Sequence, residues 1–486
     1  MRSIPNNSRG PAISEMEVST ALKKRFQLTS RRKTTIIPGS TKRFLPVAVL
    51  CWFLIQLAPP SLGQSSESYR SWISPRVNRE YPSLFELYRH LHANPEIAFQ
   101  EIQTAQRIAW ELKASGFKVS RDIGGHGVVG LLKNGEGPTL MLRTDLDGLP
   151  ITEETGLKYA SQVRIQDPAG QSIGLMHACG HDIHMTCFVG AARILSREKS
   201  RWKGTLMMVA QPAEERGAGA SAMLADGLFE KFPVPDYAIA LHNDAGMQAG
   251  LVGVCSGYAL AGVDSIDLVV RGVSGHGGYP STTKDPVVMA AQTVLSLQTI
   301  VSREIPAIDP AVVTVGSIHG GTKHSIIPDE VRLQLTVRYY TDETRDNIRS
   351  GIGRIAEGIA RAAGVPPNLM PLMSVLDSTP PTYNNPALAE RATQAMARVL
   401  GKDNVLDLKP VMGGEDFGLY GMTPEKVPLC LFWLGAVSPK KMEANKKPGG
   451  PLLPSLHSSR YKPDPEPTLK TGVKALTAIA LELLQP

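Results

Sequence analysis

At 486 residues the chain is long enough for two or three domains, and its 42% hydrophobic and 20% charged content excludes a disordered or fibrous protein. The formal charge of +7 belongs to the first 63 residues, where ten Lys/Arg face two Glu for a net +8, leaving −1 for the remainder. A body so balanced gives no net-charge case for binding nucleic acid or an anionic membrane.

In chain order, the basic clusters Lys23-Lys24-Arg25, Arg31-Arg32-Lys33 and Lys42-Arg43 precede an apolar run, Phe44–Ala58. That run is shorter than the roughly 20 residues of a membrane span, and small residues at Ser61 and Gly63 permit cleavage before Gln64. Residues 1–63 therefore read as an export signal or, if uncleaved, an N-terminal anchor, with the protein periplasmic or secreted and touching a membrane only in the anchored case. Residues 64–76 are polar and Ser-rich, expected as a loose start to the mature chain. The next segment reads as two amphipathic helices broken at Asn94-Pro95 and stopped by Gly116.

Three apolar strands follow, each running into polar residues: from Thr139 into Asp145 and Asp147, from Gly204 into Glu214 and Glu215, and from Asp236 into His242 and Asp244. Helical stretches such as Cys187–Arg197 and Gly219–Leu228 alternate with them, the pattern of an α/β protein with a largely parallel sheet. Ligands in such sheets bind beyond the carboxyl ends of the strands. From Ala261 the order becomes β-α-β-β-α, with a closing strand expected near Asn368–Ser374, a ferredoxin-like arrangement inserted into the larger domain. The expected organisation is 64–260 and 375–486 as the two parts of the larger domain, with 261–374 as the insert.

The segment Gly174–Thr186, GLMHACGHDIHMT, concentrates donor groups. Gly174 and Gly180 break a helix through it, so a loop entering a helix near Asp182 is expected, and in such a loop Cys179 and His181 project to one side. A metal pair and a polar turn with a buried thiol both fit that segment alone. Adjacent Glu214 and Glu215 repel unless a cation or proton intervenes; they read either as a metal ligand beside a general base or as a solvated tip with Arg216. His242 closes the third strand and His457 lies in a loop, each as ready for a structural role as for ligation. Convergence favours metal, because neighbouring strand ends supply S, N and O donors of the kind zinc accepts. No CxxC pair is present, which argues against thiol redox chemistry, and Cys187, Cys255 and Cys430 read as small buried hydrophobes.

From about Ser83 to Leu484 the segments LHANPEIAFQE, RTDLDGLP, HACGHD, QPAEERGAGA, ALHN, GGEDFGLY and LHSSRYKPD resemble, in order, the amidohydrolase branch of the aminoacylase/carboxypeptidase-type metallopeptidases, which includes hippurate hydrolases and indole-acetyl-amino-acid hydrolases. The resemblance implies an α/β fold: a largely parallel-sheet, di-metal catalytic domain with an inserted ferredoxin-like α+β lid at 261–374. It implies two divalent metal ions (zinc, with manganese, nickel or cobalt as the alternatives) held by Cys179, His181, Glu215, His242 and His457. Glu214 matches the general acid/base, Asp145 an acid of the catalytic centre with Arg143 in place of a ligand histidine, and His276 a lid histidine that polarises the scissile carbonyl, often across a homodimer formed through the lid. Arg338 matches an arginine suited to a substrate carboxylate, a structural salt bridge being the other reading. Ser281 and Ser325 depart from the histidine and asparagine usual there. The implied activity is hydrolysis of the amide bond in N-acyl amino acids or related conjugates by a metal-activated water. A dipeptidase or carboxypeptidase with the same machinery is the near alternative, and a non-catalytic binding protein on the same fold the remote one.

Overall fold

The computed structural model describes residues 66–167 and 169–485. The leader, with its apolar run Phe44–Ala58 and Cys51, lies outside them. Helix α1 (Ser66–Ala93) begins well before Ser83, where the sequence pattern starts it, so residues 66–76 are helical rather than loose. Its polar surface and internal Pro75 and Pro82 hide a buried stripe of Tyr69, Ile73, Val77, Leu84, Leu87 and Leu91 at three- and four-residue spacing. Helix α2 (Ile102–Ala114) follows the break, and Gly116 ends it at φ 84°.

The central sheet contains β1 (Lys118–Ile123), β2 (Gly127–Asn134), β3 (Thr139–Asp145), β4 (Gly204–Gln211), β5 (Tyr237–Gln248), β6 (Val252–Val254), β7 (Val405–Asp407) and β8 (Leu429–Val437). Their spatial order is β1-β2-β4-β3-β5-β8-β6-β7. The middle four, β4-β3-β5-β8, are parallel, and antiparallel pairings flank them. Both faces are covered, which is why these strands read as continuous apolar runs. Leu140 and Leu142 pack under α1, α3 (His181–Arg197) and the helices Pro386–Leu400 and Pro465–Leu483, while Met141 joins Met207, Val209, Ala238 and Leu431 on the opposite face. Strand β5 does not stop at His242; pairing with β8 carries it on to Gln248.

The inserted α+β lid is a four-stranded antiparallel sheet in the order Val312–Gly320, Glu330–Tyr339, Gly262–Arg271, Leu372–Thr379. With helices Pro286–Thr299 and Asp342–Ala362 this is a ferredoxin-like sandwich. Ile266, Leu268 and Val270 and, from the next strand, Leu333, Leu335 and Val337 bury one face against those helices. Alternation turns Val263, Ser265 and Arg338 to the other face, toward the central sheet's strand ends. The closing strand starts later than expected, because Pro366, Pro367 and Pro371 cannot donate to the ladder and a short helical turn occupies Pro367–Leu369. Among the described residues no helix is long and apolar enough to cross a membrane.

Candidate metal centre

The carboxyl ends of β3, β4 and β5 converge as parallel neighbours must, and the loop before α3 completes the wall. Gly180 starts α3 with φ 78°, and a Cβ there would lie 2.5 Å from the Asn243 side chain, so only glycine lets the loop close on β5. The His457 loop docks on the same place, its amide donating to the Ala178 carbonyl at 3.0 Å.

Backbone carbonyls fix two of the imidazoles. His181 Nδ1 donates to Asp147 O and His242 Nδ1 to Asn243 O, each at 2.8 Å, which leaves both Nε2 lone pairs facing inward. His242 Nε2 lies 3.5 Å from Cys179 Sγ, and His457 Nε2 lies 3.5 Å from Glu215 Oε2. His181 Nε2 is 3.6 Å from Glu214 Oε2 and 3.8 Å from Glu215 Oε1. Among the described residues two groups of donor atoms, Cys179/His181/His242 and Cys179/Glu215/His457, each within 4.8 Å, share the one thiol, and a third, His181/Glu214/Glu215, lies between them.

Buried groups here lack the partners they need. Among the described residues His181 Nε2 and Glu215 Oε1 have no hydrogen-bond partner, a costly state unless a ligand meets them. Burial pushes the Glu214 carboxyl well up, with Glu415 and Glu215 adding to the effect, and brings Glu215 to about 7. Burial beside Glu215 and Glu214 also raises the Cys179 thiol well above its ordinary range. A pocket that resists so much negative charge takes thiolate and carboxylate together only around cations, so the donor set fits metal ions.

Arg143 organises the layer behind. Its guanidinium meets Asp145 Oδ2 at 2.8 Å and Glu415 Oε1 and Asp416 Oδ1 at 3.0 Å, fully buried. Asp145, expected at the catalytic centre, is spent on Arg143 and on His184 Nδ1 at 2.8 Å and does not line the cavity. That cavity, about 380 Å³, is lined by Glu214, Glu215, Arg216, His457, Arg338, Asp377, Thr379 and Glu415, among others. Among the described residues Arg338 makes no ion pair, and its half-buried guanidinium faces the cavity. His276 is exposed, pairs in a two-residue strand with Ile326 and does not line the cavity of its own chain. Cys187, Cys255 and Cys430 are buried free thiols.

Sequence reasoning noted Asp147 only as a strand-end acid and gave it no role; its Oδ2 accepts from the Glu215 amide at 3.0 Å. That reasoning missed His92, clamped between Asp182 Oδ2 at 2.7 Å and Glu153 Oε1 at 3.1 Å, although both residues stand in segments that carry the resemblance. Burial alone would lower the His92 pKa, but the two carboxylates outweigh it and raise it to about 9. His92→Gln is expected to cost about 3 kcal/mol of unfolding free energy below the imidazole's ordinary pKa of about 6.5. A raised folded-state pKa contributes its stability at low pH and loses it on titration, so the deficit should fade as pH rises through about 9. Urea titrations across that range check this, and a pH-independent deficit would contradict it.

Several known proteins are similar to this chain. The N-acetylcysteine deacetylase of Bacillus subtilis is 34% identical over 355 residues, 72% of this chain and 88% of that one. The hippurate hydrolase of Campylobacter jejuni is 37% identical over 339 residues, 69% of this chain and 84% of that one. The crystal structure of a Bacillus subtilis protein described as a dinuclear metal-binding peptidase of the M20 family superposes with a TM-score of 0.67 at 29% identity, covering 84% of this chain and 99% of that one. With its donor groups at the ends of a parallel sheet and residues 141–480 matching the family model, the chain belongs to peptidase family M20/M25/M40.

Proposed function

We propose that the protein is a metal-dependent amidohydrolase that cleaves the amide bond of N-acyl amino acids. One observation carries the reading: two donor groups share the buried Cys179, and the cavity lined by Glu215 and His457 of one of them also presents a buried carboxyl, Glu214, and a guanidinium, Arg338, with no ion pair among the described residues. The relatives named above, a deacetylase and a hippurate hydrolase, support it. Cys179, His181 and His242 would hold one divalent cation, and Cys179, Glu215 and His457 the other. Bound there, such cations polarise a carbonyl and acidify a water. The shared thiolate favours zinc over a hard cation, with manganese, nickel or cobalt as alternatives.

Glu214 accepts the proton of the attacking water and returns it to the departing amine, a task suited to a carboxyl whose pKa burial has raised. Arg338 pairs with the substrate carboxylate, and Asp145 works behind the centre by holding Arg143 and His184. His276 reaches the carbonyl from a second copy of the chain. Its absence from the lining of its own cavity and the exposed edge strand Leu372–Thr379, with Leu372, Met373 and Leu376 uncovered, support a homodimer through the lid. The leader supports export, which N-terminal sequencing of secreted protein tests.

Metal analysis coupled to a panel of N-acyl amino acids, their carboxamides and dipeptides tests the whole. Arg338→Met is expected to raise KM for the carboxylates about 10–100-fold, with kcat little changed and the carboxamides unaffected. Equal losses on both substrate sets would remove Arg338 from carboxylate recognition. Preferred cleavage of free dipeptides would replace the amidohydrolase with a peptidase.

A further inference from the structure

Among the described residues, five that are not glycine take positive φ, and two of these, Phe99 at 62° and Ala213 at 52°, are far apart in sequence. Both donate their amides to one atom: Glu101 Oε1 accepts from Phe99 at 3.0 Å and from Ala213 at 2.7 Å. Side chains with a Cβ resist that region of backbone space, so something must hold them there.

Ala213 is the residue that opens the short turn Glu214–Arg216. Its own carbonyl accepts from the amides of Ala218 and Gly219 at 3.3 and 3.2 Å, and the Glu215 amide is tied to Asp147 Oδ2 at 3.0 Å. Nothing can slide along this turn, since a Cβ on Gly219 would fall 1.6 Å from Pro212 O. The direction in which Glu214 leaves the backbone is therefore set by the torsion at Ala213, and Glu101 is what its amide binds.

For stability alone Glu101 is a poor choice. It is fully buried, its Oε2 has no hydrogen-bond partner among the described residues, and burial pushes its carboxyl up to about 7. An orphaned buried oxygen costs stability, and residues that break a local rule cluster where function needs them.

We propose that Glu101 is a positioning residue of the hydrolytic centre, holding Ala213 in its left-handed conformation and thereby aiming Glu214 at the cavity. The inference rests on the role given to Glu214 above. It makes reach, not charge, the property of Glu101 that matters. Glutamine keeps an acceptor oxygen at the same reach, and its neutrality suits a site that already disfavours the charged form. Aspartate keeps the charge but falls one methylene short.

The experiment uses the full-length, metal-loaded enzyme with N-benzoylglycine and N-acetyl amino acids. Glu101→Ala and Glu101→Asp are expected to lower kcat about 10–100-fold with KM and metal content unchanged, the size of loss a small misplacement of a reacting group brings. Glu101→Gln should stay within a few-fold of the parent. Adding Ala213→Gly, which adopts the left-handed torsion at no steric cost, should recover several-fold of the kcat lost in Glu101→Ala. A general weakening of the fold would give no such rescue. Hydrogen exchange at the Phe99 and Ala213 amides should accelerate in Glu101→Ala and Glu101→Asp but not in Glu101→Gln. Should Glu101→Ala fail to fold, the Asp and Gln pair decides. Parent-like kcat in Glu101→Asp, equal impairment in Gln and Asp, or a kcat that falls only in step with metal content would each overturn the proposal. A parent enzyme that hydrolyses none of these amides would instead remove the functional reading, with hydrogen exchange still deciding the clamp.

Discussion

Glu214→Gln is expected to lower kcat for N-acyl amino acids by about 10²–10⁴-fold, the usual worth of a general acid–base group, while the protein keeps its full complement of metal. Glu214 and its neighbour are chemically identical and adjacent, yet the fold gives them different surroundings. Glu215 Oε2 faces His457 at 3.5 Å and belongs to a donor group with Cys179. Glu214 also approaches His181, but it groups besides with Glu415 and Asp416, two acids that raise its proton affinity and lie beside Arg143. Glutamine is close in shape, so the turn and the ligands should stand undisturbed, but its amide cannot accept a proton from water. Glu215→Gln is the contrasting variant and should lose metal as well as activity. Steady-state kinetics with metal analysis on both separates the roles. If Glu214→Gln turns over at the parent rate, Glu214 is not the base.

Much of this arrangement is legible in the sequence, and what escapes does so for physical reasons. Strands β3, β4 and β5 are readable because a sheet covered on both faces must be apolar throughout, and the polar residues that end the first two runs then mark where a ligand binds. The alternation of Ile266, Leu268 and Val270 marks the lid sheet in the same way. Long-range partners are different. Glu101 meets an amide 112 residues away and His92 a carboxylate 90 residues away, and no local period encodes either contact. The position of Asp145 in a motif says that it matters but not which way it faces; the fold turns it to Arg143 and His184, behind the cavity and beside His181. The start of α1 misleads because serines and two prolines mask a stripe visible only once Tyr69, Ile73 and Val77 are known to be buried.

Cys179→Ala is expected to empty both metal positions at once and to leave no measurable hydrolysis. The reason lies in the sharing: Cys179 is the one residue common to the two donor groups, so its loss leaves two donors in each, His181 with His242 and Glu215 with His457. His457→Ala, by contrast, removes one donor from one group and should spare the other cation. The thiol also explains a thermal signature. Burial and the neighbouring carboxyls keep it protonated without a cation, so binding metal releases a proton and should tighten as pH rises. A ligand that binds only the folded state stabilises it by about 4 kcal/mol at a thousandfold excess over its Kd. Chelation should therefore lower the parent's Tm by several degrees and leave that of Cys179→Ala unchanged. Two equivalents of metal still bound in Cys179→Ala would refute the shared thiolate. The two groups would then be separate sites, and the case for one bimetallic centre built around Cys179 would fall with them.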